Sequence, residues 1–118
     1  MKSEPPSSPE RLNQVSLIGH LAAESELREL PSGDSLRLFR VNVRRDPGAT
    51  SRQTVDSLEC VAWNGRVKRS VASWRPGDLV EVGGGLRRRF FRSASGSTAS
   101  RVEVEVTEGR LLRRGTTE

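Results

Sequence analysis

The side chains here with chemical potential are guanidinium groups set among a few aromatic rings. Arg40 and Arg44 alternate along one run, with Asn42 between them and Arg45 next; Trp63 closes a second run; Arg87, Arg89, Phe90 and Phe91 share a third. A guanidinium neutralises phosphate and can stack on a planar base, and an exposed ring offers a further stacking face. A groove that combines the two holds a single-stranded nucleic acid largely without reading its sequence. Affinity then falls steeply with salt, because neutralising phosphates releases their counterions.

Catalysis needs a nucleophile with its base, a metal cluster or a carboxylate pair, and the residues do not group that way. Cys60 is the only cysteine and His20 the only histidine, so neither a disulfide nor a cysteine-based zinc site is expected; His20 reads as a surface residue. Asp56 and Glu59 fall on opposite sides of one strand, and Glu103 with Glu105 reads as a solvated face. Gly83-Gly84-Gly85 lacks the Lys-Ser/Thr of a phosphate loop and reads as a strand bend. The expectation is a binding protein with no enzymatic activity, metal, cofactor or small-molecule substrate.

At 118 residues the chain supports one core. The net charge of +5 is uneven, with three Lys/Arg against six Asp/Glu in residues 1–34 and seventeen against nine in residues 35–118. That places a polyanion footprint on the later segments. No secretory signal or membrane-length apolar run is evident, and a cytoplasmic, nucleoid-associated location is the expectation.

The elements that position these side chains follow from periodicity. Residues 1–11, rich in Pro and Ser, read as a disordered arm. A first strand spans Asn13 to Leu21, and a short extended piece lies near Leu27 to Leu30. The turn Pro31-Ser32-Gly33-Asp34 leads into a second strand, Ser35 to Arg45, with Phe39, Val41 and Val43 inward and Leu38, Arg40, Asn42 and Arg44 outward. After the flexible loop 46–54, a third strand from Val55 to Trp63 turns Leu58, Cys60 and Ala62 inward and Ser57, Glu59, Val61 and Trp63 outward. Trp63 is thereby expected beside Arg40 and Arg44. Val67, Val71 and Trp74 form the apolar stripe of one helix, Gly65 to Trp74, with Trp74 a core residue. A fourth strand from Leu79 runs to Phe91, where one of Phe90 and Phe91 is expected to be buried or covered and at least one of Arg87 to Arg89 to be a bystander. Arg101 to Thr107 is a fifth strand with Val102, Val104 and Val106 inward.

Three strands, a helix and two strands is the element order of an all-β OB-fold, a five-stranded Greek-key barrel with its helix between strands three and four. Several stretches, NQVSLIGHL, LRELPSGDSLRLFRVNV, ECVAW, WRPGDLVEVGGGLRRRFF and VEVEV, together resemble the bacterial single-stranded DNA-binding protein family across Asn13 to Leu112. The chain looks most like the short, arginine-rich members from high-GC Gram-positive bacteria.

That resemblance implies a domain over residues 12–112 and a short tail over 113–118. It also implies single-stranded DNA as partner, in replication, recombination or repair, and a homo-oligomer, dimer or tetramer. Base stacking would fall on Trp63 and Phe91, and phosphate contacts on Arg75, Arg87 and Arg89. Ser57 and Glu59 stand where the family carries a tryptophan and a basic residue, and the acidic, partner-recruiting tail has no counterpart in RRGTTE. A binder that leans on arginine more than on stacking is the expectation. The alternative left open is an OB-fold module for RNA or a protein partner, with Trp63 packed under a loop or at a subunit interface.

Overall fold

The computed structural model describes residues 10–48 and 52–115. Of the expected N-terminal arm only Glu10 and Arg11 fall within them; residues 49–51 of the loop and 116–118 of the tail lie outside.

Six strands and one helix follow in the order β1 (Val15–Leu21), β2 (Glu26–Glu29), β3 (Ser35–Arg44), β4 (Val55–Ala62), α1 (Gly65–Ala72), β5 (Leu79–Arg92) and β6 (Thr98–Arg113). The sheet runs β1-β5-β6-β4-β3-β2, and β1 also pairs with β3, which closes β1, β3, β4, β5 and β6 into the expected OB barrel. β2, the short extended piece, pairs only with β3 and lies outside that closure. All pairings are antiparallel except β4 with β6.

Closure directs the inward rows of every barrel strand onto one core. It contains Leu21, Phe39, Val41, Cys60, Ala62, Val80, Val82, Val104 and Val106, with α1 packed over it through Val67 and Val71. Trp74 joins them and meets Phe39 edge to face, 5.9 Å between ring centroids, a favoured aromatic geometry. Asn64 starts α1 by accepting the N–H groups of Arg66 and Val67 at its Oδ1, which satisfies two donors that the first turn leaves free. Among the described residues no helix is long and apolar enough to cross a membrane.

The turn after α1 is tied by a buried carboxylate. Asp78 accepts the N–H of Arg75 and the Arg114 guanidinium at Oδ2 and the N–H of Gly115 at Oδ1, each at 2.8 Å. Burial by itself raises the Asp78 pKa; these donors outweigh it and hold the carboxyl below its ordinary range.

β5 and β6 are far longer than the barrel needs. Their register shifts at Gly83/Gly84, as a strand bend predicts, and a Cβ on Gly84 would run into the backbone carbonyl of Glu105. Beyond this bulge the two strands continue, paired from Leu86↔Val104 to Arg92↔Thr98, as an arm closed by the Ser93–Ser97 turn. The Asn13 side chain braces the arm's root, accepting the Leu86 N–H and donating to the Leu86 carbonyl.

The arm accounts for three differences from the sequence expectation. β6 spans Thr98–Arg113 rather than Arg101 to Thr107. Val102, expected inward, is exposed, because the barrel interior does not reach that far. Phe90 and Phe91 are both exposed, on opposite sides of the arm. His20, expected at the surface, is half-buried in β1.

Candidate nucleic-acid interface

Alternation decides what the arm presents to the barrel. Arg87, Arg89 and Phe91 on β5 share a side with Arg101 and Glu103 on β6, whereas Leu86, Arg88, Phe90 and Val102 share the other. The first side lies against the outer rows of β3 and β4. Between them, and continuing across β3 to Glu24, Glu26 and Arg28 at β2, runs a groove of about 680 Å³ whose arm end is lined by Arg40 and Asn42 of β3, Ser57 and Glu59 of β4, and Arg89, Arg101 and Glu103 of the arm. A smaller cleft of about 250 Å³ adjoins it, lined by Val61, Trp63, Arg87, Arg88, Arg89, Glu103 and Glu105. Arg89 and Glu103 line both.

Carboxylates occupy the positions beside the guanidinium groups. Arg40 Nη2 donates to Glu59 Oε2 at 3.1 Å, and Arg101 Nη1 reaches Glu59 Oε1 at 3.4 Å. Arg89 donates through Nε and Nη2 to Glu103 Oε2, and Arg87 Nε donates to Glu105 Oε1 at 2.6 Å. Four cations thus face three anions on one surface. Glu103 corrects the reading of a solvated acidic face, since it is only 6% exposed. The β4–β6 pairing sets it beside Glu59 at the foot of the arm, with Arg89 over it.

The aromatics divide differently from expectation. In the β3–β4 register Arg40 faces Glu59 and Arg44 faces Val55. Trp63 therefore lies past the far end of the pairing, beside Arg87 and Arg89 instead of Arg40 and Arg44. Phe91 is partly exposed, with the Arg101 guanidinium carbon 5.1 Å from its ring centroid, a cation–π contact.

Three of the sequence candidates stand apart. Arg44 is exposed on the same side as Arg40, and no ion pair joins it to another described residue. Arg45 is held by Asp56, which takes its Nε and Nη2 in a fork that closes the base of the β3–β4 loop. Hydrogen bonding to Asp56 raises the Arg45 pKa further. Arg75 sits in the turn at Asp78, where its backbone N–H is used and its side chain is exposed.

Arg101 is the groove residue that sequence reasoning missed. Two residues ahead of Glu103 in a period-two run, it had to share that residue's side. No group of three or more His, Cys, Asp or Glu among the described residues could hold a metal. Burial pushes the Cys60 thiol up to about 12, with Glu103 and Glu59 adding to the effect, so behind the groove it is a protonated core side chain.

Known proteins share this architecture. A solved structure described as a Plasmodium falciparum SSB complex with ssDNA superposes with a TM-score of 0.68 at 20% identity, covering 91% of this chain and 98% of that one, a likeness of fold. Single-stranded DNA-binding protein A of Bacillus subtilis is 28% identical over 102 residues, 86% of this chain and 59% of the relative. The single-stranded DNA-binding protein of Mycobacterium tuberculosis is 32% identical over 101 residues, 80% of this chain and 60% of the relative. The chain thus spans about three fifths of the length of these two curated relatives. Residues 12–112 match the single-strand binding protein family along nearly all of the barrel and its arm, and the chain belongs to that family.

Proposed function

We propose that the groove between the arm and the β3–β4 face binds single-stranded DNA, without catalysis. The observation that carries this is the convergence of guanidinium groups from β3, β5 and β6 on one surface with Trp63 and Phe91. Arg40, Asn42, Arg44, Arg87, Arg89 and Arg101 contact the backbone, and Trp63 and Phe91 stack on bases. Arg75 extends the track at the turn. Residues 12–112 form the binding domain. The protein works as a dimer or tetramer in the cytoplasm, on DNA exposed by replication, recombination or repair.

Two tryptophans make the test direct. Trp74 is buried and Trp63 half-buried in the cleft, so a single-stranded oligonucleotide should quench Trp63 and leave a Trp63→Phe protein nearly silent. Undiminished quenching in that variant rejects the stacking role. A salt series should show log affinity falling linearly with log salt, and a flat series removes the arginine role. Duplex and RNA competitors of equal length rank the ligands. Preference for RNA, or no nucleic-acid binding at all, would redirect the reading to an RNA or protein partner.

A further inference from the structure

Helix α1 carries the sequence GRVKRSVA, with three cations and no carboxylate. Val67 and Val71 face the core, and Lys68 reaches across to β3, where its Nζ donates to the carbonyl and the hydroxyl of Ser35. Arg66 and Arg69 make no such contact. Both are exposed and no ion pair joins either to another described residue, whereas Arg40, Arg87, Arg89 and Arg101 each have a carboxylate beside them. The Arg69 guanidinium folds back along the helix, its Nη1 3.7 Å from where a Cβ on Gly65 would stand, which brings it into the turn that carries Arg66. Like charges one turn apart weaken a helix, and the dipole disfavours a cation in the first turn, where Arg66 stands. Neither placement serves the fold.

Only Asn64, the cap of α1, separates this turn from Trp63 in the cleft. Beyond the other end of the helix Arg75 is exposed, and Asp78 is already taken by Arg114 and by the N–H groups of Arg75 and Gly115. We propose that the outer face of α1 continues the binding track: a single strand stacked on Trp63 runs on along the helix, with Arg66 and Arg69 holding its phosphates and Arg75 receiving it at the turn. The inference rests on the single-stranded nucleic-acid reading above, and it gives a strand in the cleft a path to Arg75. At about 1.5 Å per residue, α1 adds about 12 Å to the track. The two segments differ in kind. A phosphate entering the groove must displace a carboxylate, whereas on α1 the guanidinium groups are free beforehand. The helix has no ring to stack a base, so this segment holds the backbone alone.

The experiment measures the salt dependence of binding to the full chain for two oligodeoxythymidines, one just long enough to saturate Trp63 quenching and one twice that length. Wild type is compared with the Arg66→Gln/Arg69→Gln double variant. Each phosphate contact to a single strand contributes about 0.7 to the slope of log affinity against log salt. The double variant should therefore lose about 1.4 of slope on the longer strand and keep the wild-type slope on the shorter. An unchanged slope on the longer strand overturns the proposal. Equal losses on both strands overturn it too, because they would place the two arginines among the groove's own contacts. Failure of the wild type to bind either strand overturns the single-stranded DNA reading itself. The substitutions lie on an exposed face and remove a like-charge pair, so the fold should hold. Should the double variant not fold, Arg66→Gln alone decides in its place, with an expected loss of about 0.7 confined to the longer strand.

Discussion

Arg40 and Glu59 face each other across the β3–β4 register, with Nη2 and Oε2 3.1 Å apart, in the middle of the groove. A carboxylate thus already holds the position that a phosphate would take. With both side chains about a third exposed or more, the pair is worth little on its own, about 0–1 kcal/mol, and a ligand can break it. Glu59→Gln should therefore tighten single-stranded DNA binding roughly two- to fivefold at low salt and steepen the salt dependence. Weaker binding in a folded Glu59→Gln protein would mean that Glu59 organises the arginines more than it competes for them.

Arg87 and Arg89 differ by the company they keep. Arg87 is mostly exposed and pairs with a half-buried Glu105, whereas Arg89 covers a buried Glu103. Arg87→Ala should cost under about 1 kcal/mol of stability; Arg89→Ala strands Glu103 and should cost about 1–3 kcal/mol. Denaturant titration of the two variants measures the gap. Equal stabilities would deny Arg89 any role beyond the ligand.

Asp78 makes stability depend on pH. Its carboxyl is held below the ordinary range, so its contribution is complete at neutral pH and is lost as pH falls through the depressed native value. Asp78→Asn should cost about 2 kcal/mol, or roughly 10 °C in Tm, at pH 7. The gap to wild type should narrow at pH 3. A gap that stays constant would assign the loss to packing.

Cys60 is shielded by burial that pushes its thiol to about 12. An aromatic disulfide reagent at pH 8 should react at least roughly a hundredfold more slowly with the native protein than with the denatured one. Fast native labelling would show that the groove floor opens.

Much of this was legible in the residues. The alternation of Phe39, Val41 and Val43 with Arg40, Asn42 and Arg44 set the sides of β3 correctly, and the Val67–Val71–Trp74 stripe marked the helix. Counting outward from the 45–54 loop would also have paired Arg40 with Glu59 and kept Trp63 away from both Arg40 and Arg44. Glu103 was beyond reach. Valine alternating with glutamate reads as apolar inside and charge outside, and nothing local tells that the strand leaves the barrel. Once it does, Val102 loses its cover and Glu103 gains Arg89 as a roof. Burial at that point is a property of the arm's path, and period-two patterning carries no information about path.

The arm meets the barrel face through Arg101 on Glu59, while Glu103, at its foot, keeps Arg89 folded down over both hollows. Those same guanidinium groups are the ones a polyanion would recruit. A strand that draws Arg101 toward its phosphates takes it from Glu59 and from the ring of Phe91 together, freeing that ring for a base. On the function proposed above, latch and grip are one set of atoms: the guanidinium groups that tie the arm to the barrel face are those the arm offers to its ligand.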